Sequence, residues 1–301
     1  MAELLVVGSV ALDTVETPFG RVEEVLGGAA TYASCAASFF VPVRVVGVVG
    51  EDFPQEHWEF LRARGIDLEG LQMRPGRTFR WSGFYDFDLN TAHTLRTELN
   101  VFEAFQPHLP PTYRSTPFVF LANIDPELQH QVLDQMEAPR FVACDTMNFW
   151  IEHRRQRLLE LLARVDMVLM NDAEARQLCQ THSLIAAARQ LLRLGPRYAV
   201  IKKGEHGAML FGQESFFALP SYPLEEVKDP TGAGDTFAGG MLGYLASVEE
   251  VSEPTLRRAV AYGSVMASFN VEDFSLNRLR TLTREEIAQR YAQLHEFTHF
   301  A

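Results

Sequence analysis

Residues 229–240 read Asp-Pro-Thr-Gly-Ala-Gly-Asp-Thr-Phe-Ala-Gly-Gly, which is the strongest local signal in the chain. Thr231 to Gly234 form a loop of small residues, and we predict a helix that begins near Asp235. A helix N-terminus presents unpaired backbone N–H groups and a partial positive charge, and small residues let an anion approach them. The stretch therefore predicts an anion-binding loop at the start of a helix.

Asp235 has two interpretations. An Asp at a helix start is usually only a cap. An acidic side chain beside an anion site also suits phosphoryl transfer, because the carboxylate can accept the proton of the attacking hydroxyl while the amides hold charge on the phosphate. Gly239, Gly240 and Gly243 lie inside the predicted helix, where each costs about 1 kcal/mol relative to Ala. That cost indicates very close packing or the approach of a ligand.

Strand and helix patterns alternate along the rest of the chain. Continuous apolar runs, typical of strands buried on both faces, span residues 4–7, 43–49, 118–121, 141–144, 167–170 and 199–201. Segments with helical periodicity lie between them at residues 29–39, 56–64, 127–136, 152–164 and 185–194. The alternation predicts an α/β domain with a mostly parallel sheet and helices on both faces. Ligands of such folds bind beyond the carboxyl ends of the strands.

One segment breaks this alternation. Residues 78–89 read TFRWSGFYDFDL and repeat with a period of two, which indicates a β-strand with one aromatic face. A second run with this period follows at 93–99, after a polar turn at Asn90 and Thr91. We predict an inserted hairpin. Since one hairpin cannot bury so many aromatic rings, its aromatic face must meet a ligand, another subunit or the main domain.

Composition excludes several classes of protein. The chain has 301 residues, and 39 acidic against 27 basic residues give a net charge of −12. This balance makes a general nucleic-acid or anionic-membrane binder a poor candidate. No stretch approaches the roughly 18 apolar residues of a membrane span, and the N-terminus lacks the basic region of a signal peptide. The three cysteines are too widely spaced for a metal motif, so we expect buried thiols and a cytoplasmic protein.

With these motifs the chain resembles the PfkB family of ribokinase-like carbohydrate and nucleoside kinases. The segment 229–235 is similar to the family's C-terminal signature, and the other motifs follow in the family's order. They are residues 8–13, 27–30, 46–52, 64–67, 171–174 and 203–207. The resemblance covers nearly the whole chain. It implies a single three-layer α/β/α domain over residues 1–301, with a small β-sheet lid formed by about 13–24 and 78–100.

The resemblance implies a phosphotransferase that uses ATP and Mg²⁺ and has an alcohol group as acceptor. A monovalent cation is a further cofactor candidate. Asp235 would be the general base, and the anion-hole amides would come from Gly232, Ala233 and Gly234. The residues implied in substrate binding are Asp13, Gly27, Gly28, Tyr32 and Asn148. Those implied in nucleotide binding are Thr231, Lys202, Lys203, Gly204 and Gly207.

Asn171 and Glu174 would help to place the magnesium–phosphate assembly, through water, by the same resemblance. On their own, an Asn and a Glu at this spacing after a strand are more often a helix cap. Both interpretations stay open at the level of the sequence.

Two departures from the family's pattern bear on the substrate. Tyr32 stands where many members have an Asn that contacts the sugar, and Trp150 replaces an Arg of members that handle charged sugars. A phosphosugar is therefore less favoured than a neutral ring stacked on aromatic side chains. We expect a kinase of a neutral sugar or polyol. The alternatives are a nucleoside kinase and a non-catalytic sugar or nucleotide binder, and the lid could also join two copies in a homodimer.

Overall fold

The computed structural model describes residues 2–299 and contains two β-sheets. Its strands, in chain order, are β1 (Leu4–Val7), β2 (Ala11–Thr17), β3 (Gly20–Gly27), β4 (Val43–Gly50), β5 (Ile66–Arg74), β6 (Phe79–Tyr85), β7 (Ala92–Glu98), β8 (Phe118–Leu121), β9 (Phe141–Asp145), β10 (Met167–Asn171), β11 (Tyr198–Lys202), β12 (Ala208–Phe211) and β13 (Phe216–Leu219).

Helices connect most of these strands. They are α1 (Ala29–Ala37), α2 (Gln55–Ala63), α3 (Pro126–Leu133), α4 (Asn148–His153), α5 (Arg155–Leu162), α6 (Asp172–Cys179), α7 (Leu184–Arg193), α8 (Ala233–Val248), α9 (Glu253–Asn270), α10 (Asn277–Thr281) and α11 (Arg284–Thr298). The segment predicted as one helix at 152–164 is divided between α4 and α5. Arg154 leaves the helical backbone conformation there (φ −131°, ψ 23°), and its guanidinium pairs with Asp125 at 3.4 Å.

The main sheet has nine strands in the order β13-β12-β11-β10-β9-β8-β1-β4-β5. All pairs from β11 to β5 are parallel, and β12 and β13 add an antiparallel edge. All six predicted strands are present. The strands that the apolar runs did not predict are β5, β12 and β13; in β5 and β13 the burial is interrupted by exposed residues.

Each face of the main sheet carries its own apolar core, which confirms the three-layer prediction. Successive residues of β1 alternate between the two cores: Leu4 and Val6 pack with α1, α8 and α9, whereas Leu5 and Val7 pack with α5, α6 and α7. This alternation is the period of a strand that is buried on both faces. The fold is therefore a three-layer α/β/α sandwich, as expected.

The glycines inside α8 serve helix packing. A Cβ on Gly239 would lie 2.1 Å from the Ala33 carbonyl oxygen of α1, and one on Gly243 would lie 2.8 Å from the Ala37 Cα. A Cβ on Gly240 would lie 2.6 Å from Met266 Cγ of α9. Of the two explanations for the cost of these glycines, close packing is the one that the structure confirms.

The second sheet is the small one expected from the inserted hairpin. Its four strands have the order β3-β2-β6-β7, in which β2 and β6 are parallel and the outer pairs antiparallel. It is built from residues 11–27 and 79–98, so the first segment is longer than the predicted 13–24. Arg80 joins it to the main domain through an ion pair to Asp52 at 2.8 Å, and it also pairs with Glu24 of β3 within the sheet at 2.7 Å. We call this sheet the lid.

Two general expectations can also be compared with the fold. Within residues 2–299, no helix combines the length and the apolar character that a membrane crossing needs. The three cysteines, Cys35, Cys144 and Cys179, are buried free thiols, as predicted.

Candidate active site

Three polar side chains end three neighbouring parallel strands of the main sheet. Asp145 ends β9, Asn171 ends β10 and Lys202 ends β11. The carboxyl ends of these strands therefore bring them to one edge of the sheet, where α/β folds bind ligands. Sequence analysis did not assign a role to Asp145, although its place after a buried apolar run was a usable signal.

The anion loop lies at the N-terminus of α8, which begins at Ala233, two residues earlier than expected. Gly232 precedes the helix in the left-handed region (φ 74°, ψ 3°). The backbone N–H groups of Gly232, Gly234 and Asp235 have no acceptor in the described part of the chain. Unpaired amides at a helix N-terminus attract an anion. The geometry thus has the features of the predicted anion-binding loop.

Neighbouring side chains hold this loop in place. The buried carboxylate of Asp229 accepts hydrogen bonds from the backbone N–H groups of Thr231 at 2.9 Å and Ser275 at 3.2 Å. Asn270 Nδ2 donates to the Thr231 carbonyl oxygen at 2.8 Å. The loop is therefore fixed before any ligand binds, which is the preorganisation that electrostatic catalysis needs.

Asp235 lies in the first turn of α8 and is partly exposed. The pKa of its carboxylate is raised to about 7, first by poor solvation and then by the negative charge of Asp145, while Lys202 opposes the shift. A general base works best when its pKa lies near the working pH. Asp235 therefore has the chemistry of a base that titrates near neutrality.

Asp13 lies on β2 and depends on the missing side chain of Gly27. A Cβ on Gly27 would lie only 1.9 Å from Asp13 Oδ2, so any other residue would displace the carboxylate. The pKa of Asp13 is raised to about 7, mainly by burial and also by the charges of Asp229 and Asp235, while the hydrogen bond from the Gly28 N–H opposes the shift. Asp13 was predicted to share the substrate site with Gly27 and Gly28, and the structure places it in direct contact with both.

Tyr32 on α1 is buried beneath the anion loop. A Cβ on Gly232 would lie 2.4 Å from the Tyr32 ring, and the ring is 1% exposed. Its buried hydroxyl has no hydrogen-bond partner within the described chain. Burial and then the charges of Asp13 and Asp229 hold the pKa of Tyr32 well above 10. The structure therefore brings Tyr32 into the same cluster as Asp13 and Asp235, the two acidic residues predicted for substrate binding and catalysis.

The lid hairpin lies against the anion loop and against the turn at Gly204–His206. Tyr85 at the end of β6 places its hydroxyl 3.3 Å from the Thr231 hydroxyl. At the hairpin tip, Asn90 Oδ1 is 3.5 Å from the position of a Cβ on Gly204. The hairpin's aromatic residues thus contact the main domain, at least through Tyr85 and through Phe79, which stacks on Phe102 at 5.4 Å. Sequence analysis did not single out Tyr85 as a site residue.

The turn at Gly204–His206 follows β11. Lys203 N donates to the Gly207 carbonyl oxygen at 2.8 Å and closes this turn. Lys202, by contrast, is largely buried, and its Nζ donates to Asp145 Oδ2 at 2.5 Å. The two adjacent lysines therefore have different surroundings, and Lys202 is the one that faces the carboxylates.

Asn171 and Glu174 form a capping box at the start of α6. Asn171 Oδ1 accepts from Glu174 N at 2.8 Å, and Glu174 Oε2 accepts from Asn171 N at 2.7 Å. The helix-cap interpretation is confirmed, and it does not exclude the other, since the cap holds the Glu174 carboxylate in the site. Burial and the charge of Asp145 raise the pKa of Glu174 to about 8, and Lys202 opposes this.

The structure does not bring every predicted residue into this cluster. Asn148 is exposed on α4, where its amide donates to the side chain of Gln177, and no described hydrogen bond joins it to the cleft. Asn148 is the first residue of α4, so its side chain lies in the first turn of that helix. Trp150 is held by a hydrogen bond from its Nε1 to Asn123 at 3.0 Å.

A two-sheet fold with an acidic residue beside an anion loop is suited to phosphoryl transfer to a small molecule. Comparison with known proteins shows the family to which this chain belongs. Residues 1–281 match the pfkB family carbohydrate kinases, and the chain belongs to that family. It is a phosphotransferase with a hydroxyl acceptor.

Its relatives include kinases of nucleosides. A cytidine kinase of Thermococcus kodakarensis is 33% identical over 268 residues, which cover 86% of this chain and 95% of the relative. A nucleoside kinase of Methanothermobacter thermautotrophicus is 25% identical, with 90% of each chain covered. Among solved structures, the nucleoside kinase of Methanocaldococcus jannaschii covers 97% of this chain and 99% of its own at a TM-score of 0.77 and 21% identity, which shows the shared fold.

Proposed function

We propose that the protein transfers the γ-phosphoryl group of ATP to a hydroxyl of a nucleoside. The observation that carries this choice of acceptor is the 33% identity to a cytidine kinase over 86% of the chain. From the sequence alone a neutral sugar or polyol ranked first and a nucleoside second. The identity to the cytidine kinase is our reason to place the nucleoside first.

The geometry supports a direct transfer. The acceptor hydroxyl lies between Asp235 and the anion loop, where the carboxylate takes its proton as the oxygen attacks the γ-phosphorus. The free amides of Gly232 and Gly234 and the Ala233 end of the helix hold the charge that develops on the phosphoryl oxygens. Thr231 and the turn at Gly204 and Gly207 border the nucleotide.

The acceptor side is acidic and contains an unpaired hydroxyl. The carboxylate of Asp13, which occupies the space beside Gly27, accepts hydrogen bonds from the ribose hydroxyls. The buried Tyr32 hydroxyl needs a partner, because leaving such a group unpaired costs about 1–3 kcal/mol. A substrate oxygen or nitrogen is the partner that we assign to it.

Mg²⁺ fits the residues that are present. Within residues 2–299, no group of three His, Cys, Asp or Glu side chains could hold a metal ion. Mg²⁺ commonly keeps several waters and is bound through one or two carboxylates and the phosphates of its nucleotide. Glu174 has one carboxylate oxygen committed to the Asn171 amide and would reach the ion with the other, through water. The ion supplies charge neutralisation on the nucleotide phosphates.

The lid completes the site. Tyr85 and Asn90 bring the hairpin onto the two glycine loops, which shields the phosphoryl group from water. Exclusion of water favours transfer to the substrate hydroxyl over hydrolysis of ATP.

A neutral sugar or polyol is the second candidate. It is favoured by the similarity to an inositol 3-kinase of Arabidopsis thaliana, which is 24% identical over 96% of this chain. A non-catalytic binder is disfavoured, since a pure binder needs no base beside an anion loop.

The test is ADP release with ATP and Mg²⁺ across cytidine, uridine, adenosine, inosine, ribose, fructose and myo-inositol. Wild type is measured beside Asp235→Asn. Turnover that is fastest with a nucleoside and lost in the variant supports the proposal. Faster turnover with fructose or myo-inositol assigns the acceptor to the second candidate, and silence across the panel with intact ATP binding refutes both.

A further inference from the structure

Lys202 brings a buried positive charge to the carboxyl end of β11. Its side chain is 16% exposed and lies 2.5 Å from Asp145 Oδ2. Burial lowers its pKa, but the charges of Asp145, Glu174 and Asp235 raise the pKa above the ordinary value. Lys202 therefore stays an ammonium among three carboxylates.

The position of this ammonium is not explained by the ion pair alone. Its Nζ is 3.1 Å from the place that a Cβ on Gly234 would take, so it lies directly against the anion loop. An ammonium has three N–H donors. The hydrogen bond to Asp145 uses one, and the described chain offers the others no acceptor. Two charged donors are left beside the unpaired amides of the loop.

The charge balance of the cleft calls for such a donor. Asp13, Asp145, Glu174, Asp229 and Asp235 are all gathered near the anion loop, and in their ionised forms they repel an incoming polyphosphate. Lys202 is the cation that acts on both Glu174 and Asp235 within the described residues. Hydrogen bonds between ionised groups are about twice as strong as neutral ones.

We propose that Lys202 is a further catalytic residue, whose ammonium donates to oxygens of the γ-phosphoryl group, and that Asp145 is its positioning residue. In the transfer, the acceptor oxygen forms the new bond to the γ-phosphorus, and the bond from phosphorus to the β,γ-bridging oxygen breaks. ADP leaves with that electron pair, and the proton of the acceptor goes to Asp235. Lys202 keeps its own protons throughout. The role goes beyond the proposed acceptor, because it concerns the phosphate donor alone.

The experiment compares the affinities of MgATP and MgADP by titration calorimetry, with no acceptor present. Lys202→Met removes the charge and keeps most of the apolar stem. Lys228→Met is the matched control, since Lys228 is an exposed lysine paired with Asp273 at 3.6 Å. We expect Lys202→Met to weaken MgATP by about 10- to 100-fold, the range for a hydrogen bond to a charged group, and MgADP by less than about 2-fold. The control should leave both affinities unchanged.

An equal loss for both nucleotides, or no loss for MgATP, overturns the proposal. If Lys202→Met leaves Asp145 unpaired and fails to fold, Lys202→Met with Asp145→Asn removes the stranded charge, and the same two affinities decide. Because no acceptor is used, failure of the nucleoside assignment leaves this result unaffected.

Discussion

The hydroxyl of Tyr85, at the end of a lid strand, lies 3.3 Å from the hydroxyl of Thr231 in the anion loop. The two residues are 146 positions apart in the chain, yet this bond joins the lid to the anion loop. The hairpin tip approaches the Gly204 turn on the other side. The lid therefore contacts both the anion loop and the turn at Gly204–His206.

Tyr85→Phe removes that bond without removing the ring. We expect slower transfer and a larger share of uncoupled ATP hydrolysis, because a less firmly closed lid admits water. The measurement is ADP release with and without acceptor. Thr231→Val removes the other partner, so the double variant should be no worse than the poorer single one. Additive losses would show that the two hydroxyls act separately.

Gly27→Ala should damage the acceptor site specifically. The new methyl group would overlap Asp13 Oδ2 and push the carboxylate away. We expect a loss of at least about 10-fold in kcat/KM for the acceptor, the scale of one hydrogen bond to a charged group, with MgATP affinity retained. The control is the same steady-state measurement on Asp13→Ala and on the double variant. Once Asp13 is removed, Gly27→Ala should lower kcat/KM for the acceptor by little more. A full further loss there would mean that the glycine acts through something else.

Asp235→Asn should abolish most turnover. The amide cannot take the acceptor's proton, and general-base losses are about 10²-fold or more. MgATP should still bind, since the loop amides and Lys202 are unchanged, and calorimetry checks this. Near-normal turnover in a folded variant would remove Asp235 from the role of base.

The pH dependence follows from the raised pKa of Asp235. Its carboxylate faces Asp145, Lys202, Glu174 and Asp13. With a pKa of about 7, the base gains its charge, and the enzyme its activity, as the pH rises through 7. We expect an acid limb in kcat/KM near that value. Its displacement to about pH 4 would show that a different group titrates.

Stability should show the opposite trend. Between the ordinary pKa of 3.8 and about 7, the folded protein binds more protons at Asp235 than the unfolded chain does, so stability falls as the pH rises through this range. Asp235→Asn cannot ionise and loses this contribution. The melting temperature of the variant should therefore exceed that of wild type by more at pH 8 than at pH 4. An equal difference at both pH values would contradict the shift.

Tyr32→Phe should separate stability from affinity. Removal of the unpartnered buried hydroxyl should leave the free protein as stable as wild type or more so, since no hydrogen bond is lost. If the hydroxyl binds the acceptor, KM for that substrate should rise by about 10-fold. Thermal unfolding without ligand and steady-state kinetics measure the two effects. A stability loss with unchanged KM would assign the hydroxyl to the fold.

Local patterns were sufficient to predict much of the fold. The six apolar runs became six neighbouring strands because each is buried on both faces, and period two identified the hairpin. The strands β5 and β13 were not predicted, because exposed residues interrupt their apolar pattern. The sequence also indicated close packing between helices, because three glycines inside α8 lower its intrinsic helix propensity.

The site was predictable only where one short segment builds it. The anion loop and Asp235 lie within seven consecutive residues, 229–235, so their pattern survives in the sequence. The contact of Lys202 with Asp145 joins residues 57 positions apart, and no local period reports it. The surface position of Asn148 depends in the same way on how α4 leaves the sheet.

The glycine seam between α1 and α8 has a consequence for altering the enzyme. Tyr32 lies on α1 and Asp235 on α8, and backbone-to-backbone contact at Gly239 and Gly243 fixes the two helices against each other. A larger side chain in that seam would shift the acceptor pocket and the base together. Redesign of acceptor specificity should therefore leave this seam unchanged and begin with Tyr85 of β6, which contacts Thr231 from outside the seam.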